Sequence, residues 1–213
     1  FATRGAAPEC SAGGPHYPGT YIAGAFNRLE SEIAGRIVAN ESLVNWPNWL
    51  LLSFRIGDGE WFTPDRAQIL DYRQELDVGR GVLQRRMRFR DHDDREFTLR
   101  SRRLVHMGRG DTAALEWTLT PENWSATLEI RSAIDGRVTN SGVARYRELD
   151  GQHLEVLRTE PVVEESVLLV SRASQSGVVV AQTARTRVFR GEVRAATERR
   201  THLGGRVAAH HLL

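Results

Sequence analysis

Five groupings in this 213-residue sequence place side by side residue types that could do chemistry. Asp91, Asp93 and Asp94 around His92 have the oxygen donors of a hard-metal loop. They lack the alternating ligands, central Gly and closing Glu of a calcium loop, so the reading is a solvated turn. Cys10 has His16 six residues on, the pair needed for a thiolate nucleophile, but no third group to orient the base can be inferred. His210 and His211 are adjacent and lie near the end of the sequence; no histidine pair has the i, i+4 spacing of a zinc protease helix. They read as a remnant or a frayed end. The arginine-rich runs Arg85 to Arg90 and Arg100 to Arg103 could follow a nucleic-acid backbone, with Phe89 and Phe97 as stacking rings. Acids flank them within a few residues, so the expectation is a wet sheet face of paired charges and no nucleic acid. The fifth grouping is Trp46, Trp49, Trp61, Trp117 and Trp124, which could offer a sugar-stacking surface. Trp117 lies on an apolar strand face and reads as core. Trp46 and Trp49, flanking Pro47, are the better surface candidates, with packing beneath a loop the preferred reading for them. No Gly-x-Ser-x-Gly elbow, P-loop or dinucleotide fingerprint occurs.

Composition narrows the class. Hydrophobic residues make 40% and charged residues 26% of the chain, ordinary for a globular protein. Every base is Arg, so the sequence pI of 9.1 accompanies a formal net charge of only +2 and no strong positive field. One cysteine excludes an internal disulfide and points to a reducing, cytoplasmic setting. The apolar runs are far shorter than the roughly 18 residues of a membrane helix, and no signal-peptide pattern is present. The expectation is no membrane partner. Without such a signal, the sequons at Asn40 and Asn123 are read as chance.

The elements that must position these groups are strands. Val82 to Arg90 alternates, with Leu83, Met87 and Phe89 on one face and Arg86, Arg88 and Arg90 on the other. Glu96 to His106, Ala113 to Leu119 and Ala126 to Arg131 alternate likewise. Leu50 to Gly57 is a strand, Asp58-Gly59 a hairpin turn, and Trp61-Phe62 the start of a return strand stopped by Pro64. Glu30 to Asn45 is mixed, with helix and strand both open. His153 to Arg158, Ser166 to Arg172 and Gly177 to Phe189 complete the set. Short strands at roughly ten-residue spacing, joined by Gly, Asp and Pro turns, predict an all-β antiparallel sandwich or barrel over residues 1–190. From Glu192 the chain is rich in Arg, Ala and Gly, which predicts a minor helix or a linker over residues 191–213. A start without Met and an end on Ala208 to Leu213 suggest an excised piece of a larger protein.

The segment Tyr17 to Asn27 (YPGTYIAGAFN), preceded by Phe1 to Gly5 and Glu9, resembles the start of the N-terminal domain of glycoside hydrolase family 65. Asn45 with Pro47, Leu76-Asp77 with Gly81-Val82-Leu83, Arg100 to Met107 and the Asn140-Ser141-Gly142 turn extend the resemblance to about Arg187. Cys10 departs from it, standing where the family pattern has an acid beside Glu9. The resemblance implies a large β-sandwich (a supersandwich, galactose-mutarotase-like) that precedes a separate (α/α)6 barrel. The barrel would carry the general acid for inverting phosphorolysis or hydrolysis of an α-glucoside, with inorganic phosphate as co-substrate and no other cofactor. It implies no catalytic residue here, a homodimer, and contact with the chain's own C-terminal barrel. Arg4, Glu9, Thr20, Tyr21, Asn27 and Trp46 are the candidate interdomain or pocket-edge residues; alternatively they hold this domain's own edge together. A free-standing carbohydrate-binding sandwich is the competing class.

Overall fold

The computed structural model describes residues 2–4, 17–141, 147–163 and 165–212. The strands run in chain order as β1 (Ala2–Arg4), β2 (Gly19–Tyr21), β3 (Phe26–Ile33), β4 (Arg36–Leu43), β5 (Asn48–Ile56), β6 (Gln68–Asp77), β7 (Val82–Arg90) and β8 (Glu96–Val105). They continue as β9 (Ala113–Pro121), β10 (Leu128–Asp135), β11 (Leu154–Val163), β12 (Ser166–Ala173), β13 (Val179–Arg185), β14 (Phe189–Arg190), β15 (Val193–Arg194), β16 (Arg199–Gly204) and β17 (Val207–Leu212). Among the described residues there is no α-helix, only a 3₁₀ turn at Pro64–Arg66. Every pairing is antiparallel.

Three multi-stranded sheets make the body, in the orders β6-β7-β8-β9, β16-β17-β10-β5 and β11-β12-β13. Alternation decides how they face one another. On β7 and β8, Met87, Phe89, Phe97 and Leu99 are buried together. Phe54 of β5 joins them, with Leu128 and Ile130 of β10 packed against the cluster. One face of the β5/β10 pair therefore covers the apolar face of β6–β9. Farther along that face, Ile134 of β10 and Ala208 of β17 meet Val167 and Leu169 of β12. The β16-β17-β10-β5 sheet is thus central, one face packing on both of the other sheets. A third cluster, Ala25, Val44, Trp46, Val138, Leu154 and Ala173, seals the chain segments around β2 against β11 and β12.

The outer face of β6–β9 is the paired-charge surface its alternation predicts. Arg86 pairs with Asp71, Arg88 with Glu96 and Glu122, Arg90 with Glu96, and Arg102 with Glu116. Each arginine faces an acid on its own or a neighbouring strand, so the face presents mixed charge.

The segment Glu30 to Asn45, open to helix or strand in the sequence, is the β3/β4 hairpin. Ala34 and Gly35 turn it at φ 49° and 74°, the mirror-image turn whose twist suits two-residue hairpins.

Two expectations are corrected. Trp61-Phe62 does not start a return strand. A single backbone bond from Phe62 to Phe54 folds the segment back, and the 3₁₀ turn then carries the chain to β6 in another sheet. The helix near the C-terminal end is not there either: residues from Glu192 onward form β15, β16 and β17, and β17 lies inside the central sheet between β16 and β10. Ala208, Ala209 and His210 are all buried, so this strand is covered on both faces. Strands buried on both sides lose the period-2 signal, and the helix preference of alanine yields to tertiary packing.

Candidate functional site

Thr20, Tyr21 and Asn27, with Tyr17 and Asn45, lie in or beside two polar networks. In the first, the Asn45 side chain is the hub. Its Oδ1 accepts the Thr20 backbone N–H at 2.9 Å, and its Nδ2 donates to the carbonyls of Pro18 (2.6 Å) and Thr139 (3.0 Å). The Tyr17 and Tyr21 hydroxyls meet at 2.9 Å beside it, and the Trp46 N–H closes on the Thr20 carbonyl. The Trp46 side chain is fully enclosed in the chain's own core, so packing beneath a loop is what it does; Trp49 is half-buried. Arg4 lies on β1, which pairs with β2 at Gly19. Glu9, Cys10, His16 and Gly142 lie outside the described residues.

The second network centres on Asn27. Its Oδ1 accepts the backbone N–H groups of Gln175 and Ser176, both at 2.9 Å, which fixes the amide orientation. Nδ2 must then donate, to His153 Nδ1 at 3.0 Å and Ser174 Oγ at 3.2 Å. Because Nδ1 of His153 is an acceptor, this buried ring is neutral, with its proton on Nε2. Asn27 thus ties β3 to the β12–β13 turn and to the segment before β11.

Burial holds the pKa of His153 below its ordinary value, with Asp150 opposing. His210, bonded to Thr201 Oγ1 at 3.0 Å, and His211 are depressed as well, again chiefly through burial. The unfolded chain takes up protons at these histidines near the usual value of about 6.5, while the folded chain resists. Their contribution to stability is therefore complete above that value and is lost as pH falls through the depressed folded values. Urea midpoints should be flat from pH 8 to 7 and drop progressively below about pH 6.5; a midpoint that rises on acidification would contradict the buried, neutral state of these rings.

The sequence reading did not find a third cluster, on the other face of the central sheet. Glu129 of β10 is buried, and its Oε2 accepts from Arg55 of β5. Its Oε1 accepts from His211 Nδ1 at 2.6 Å, so the neutral imidazole carries its proton there. His202 of β16 lies against His211 with ring centres 4.2 Å apart. Trp61 meets the His211 edge at 5.5 Å and lies over the Arg131 guanidinium at 4.3 Å. Burial alone would raise the Glu129 pKa, but the hydrogen bonds from His211 and Arg55 outweigh it and hold the carboxyl below its ordinary value. The only early signal for this cluster was the alternation around Glu129, which did not reveal that β17 would bring His211 to it.

Glu129→Gln should destabilise the chain by about 1–3 kcal/mol, because it removes the charge that compensates Arg55 while keeping shape. A double-mutant cycle with Arg55→Gln should show coupling of roughly 1 kcal/mol or more.

Among the described residues no three His, Cys, Asp or Glu side chains are placed to hold a metal ion. Asp91 instead builds its own turn, its Oδ1 accepting the Asp93 and Arg95 N–H groups, with Arg95 paired to Asp91 and Asp93. Among the described residues no helix is long and apolar enough to cross a membrane.

The family model for the glycosyl hydrolase family 65 N-terminal domain matches residues 1–211. The chain belongs to this family. Similar proteins include an uncharacterized glycosyl hydrolase of Mycobacterium tuberculosis (strain H37Rv), 46% identical over 190 residues, covering 89% of this chain and 14% of the relative. A kojibiose phosphorylase of Caldanaerobacter subterraneus is 29% identical over 187 residues, covering 87% of this chain and 23% of that protein. A trehalose 6-phosphate phosphorylase of Lactococcus lactis is 31% identical over 159 residues, covering 73% of this chain and 20% of that protein. The chain spans less than a quarter of the length of each of these relatives. The match runs into β17 as far as His211, so all but the last residue of that strand of the central sheet lies within the family 65 match.

Proposed function

We propose that this chain is a non-catalytic scaffold domain of a longer family 65 enzyme that cleaves α-glucosidic disaccharides. The observation carrying this is that an N-terminal-domain model matches residues 1–211 while relatives named as phosphorylases are several times longer. In this reading the face-to-face sheets form the supersandwich of the family. The acid that protonates the glycosidic oxygen, and the site for attacking phosphate or water, belong to a helical barrel elsewhere in the polypeptide. Thr20, Tyr21 and Asn27 sit in or beside the networks that shape the surface offered to that barrel. A general acid in glycoside cleavage needs a raised pKa, and Glu129, the buried carboxylate of the polar face, is held below its ordinary value by its partners.

The test is to incubate the purified chain with kojibiose, trehalose or maltose, with and without inorganic phosphate. No glucose or glucose 1-phosphate should appear. Release of either by the chain, abolished by a point substitution within it, would overturn the proposal, and tight binding of the sugars without turnover would point instead to a carbohydrate-binding module.

A further inference from the structure

The polar face of the central sheet carries an arginine whose charge the rest of the cluster does not answer. Arg131 is half-buried on β10, stacked under Trp61 at 4.3 Å, and its Nε donates to Ser53 Oγ at 3.2 Å. The two carboxylates nearest along its strand are committed elsewhere. Glu129 takes Arg55 on one oxygen and His211 on the other. Asp135 takes the backbone N–H, Nε and Nη2 of Arg137 at 2.6 to 3.1 Å. Among the described residues no carboxylate forms an ion pair with Arg131. Arg55, Arg131 and Arg137 thus stand against Glu129 and Asp135, an excess of one positive charge beside neutral His211.

From this geometry we propose that Arg131 is the anchor of an oxyanion-binding site, taking a carboxylate or a phosphate on the outer edge of its guanidinium. Trp61 and Ser53 hold the guanidinium, Ser53 taking Nε, and the planar fork of donors that an arginine carries suits the paired oxygens of such anions. Burial together with the neighbouring positive charge of Arg137 already lowers the pKa of Arg131, and an anion would relieve that cost. The site owes nothing to the family reading, since it rests on this chain's own charges.

The experiment titrates the purified chain with sodium phosphate and, separately, sodium acetate at constant ionic strength, following the side-chain Nε–H signals of arginine by NMR and tryptophan fluorescence. One Nε–H signal, identified by its loss in Arg131→Lys, should shift saturably. Arg131→Gln should weaken binding by roughly tenfold or more, the loss expected of a charge-assisted hydrogen bond. Arg131→Lys, which keeps the charge but not the fork, should fall between. Saturation by acetate identifies a carboxylate site and saturation by phosphate alone a phosphate site; either supports the proposal. A response no greater than that to sodium chloride, or equal affinity in a folded Arg131→Gln variant, overturns it.

Discussion

Replacing Phe97 by alanine should destabilise the chain by about 3–5 kcal/mol, the cost of truncating a fully buried aromatic and leaving a cavity. Phe97 is 1% exposed and sits where the two sheets meet. Its ring packs edge-on against Phe54 of the central sheet at 5.6 Å, against Phe62 at 5.8 Å, and against Trp124 at 5.9 Å. Relaxation refills little of the space, because Phe54 is fixed on β5, Phe62 by its backbone bond to the Phe54 carbonyl, and Trp124 by its Nε1–H on the Glu96 carbonyl. Phe26→Ala is the comparison, since that ring is 47% exposed and should cost well under 1 kcal/mol. Urea denaturation of both variants gives the contrast directly. Equal losses would mean that the β5/β10 face does not pack on β6–β9.

The second large effect is at Asn45. Alanine there leaves the Thr20 N–H without its acceptor and the Pro18 and Thr139 carbonyls without their donor, in a region where Asn45 itself is 1% exposed. The buried Thr20 N–H left unmet costs about 1–3 kcal/mol and the two part-buried carbonyls, which water can reach in part, add less, so a total loss of roughly 2–4 kcal/mol is expected. Aspartate is informative beside it. The carboxylate can still accept from Thr20 but cannot donate to either carbonyl, so Asn45→Asp should not rescue stability. Amide exchange at Thr20 and Trp46 should accelerate in both variants ahead of exchange in β7 and β8. If Asn45→Asp proved as stable as the unaltered chain, the donor half of this network would not matter.

How far the sequence disclosed this arrangement depends on where each strand sits. β7 and β8 have one wet face, so Met87, Phe89, Phe97 and Leu99 alternate with arginines and announce both strand and core. β17 is covered on both sides, and Val207 to Leu212 is short in the branched and aromatic residues that mark strands. Its identity is conferred by β10 and β16, which are distant or nondescript in sequence, and no local pattern encodes that. The same distance hid the polar cluster: Glu129 and His211 are 82 residues apart and meet only once β17 is in register. The resemblance carried by Tyr17 to Asn27 named the family correctly. It also led to Asn27, whose amide accepts two backbone N–H groups and donates to His153 and Ser174, and to Thr20, which enters the Asn45 network through its backbone alone. It said nothing of Trp61 or Arg131, whose meaning is supplied by each other.

Deletion tests most directly whether a catalytic region elsewhere depends on this domain as its scaffold. Activity on α-glucosidic disaccharides with inorganic phosphate is measured for a longer polypeptide containing this chain, with and without residues 1–213. The intact polypeptide should turn over substrate, and the deleted one should lose that activity. A deleted form as active as the intact one would contradict the scaffold role.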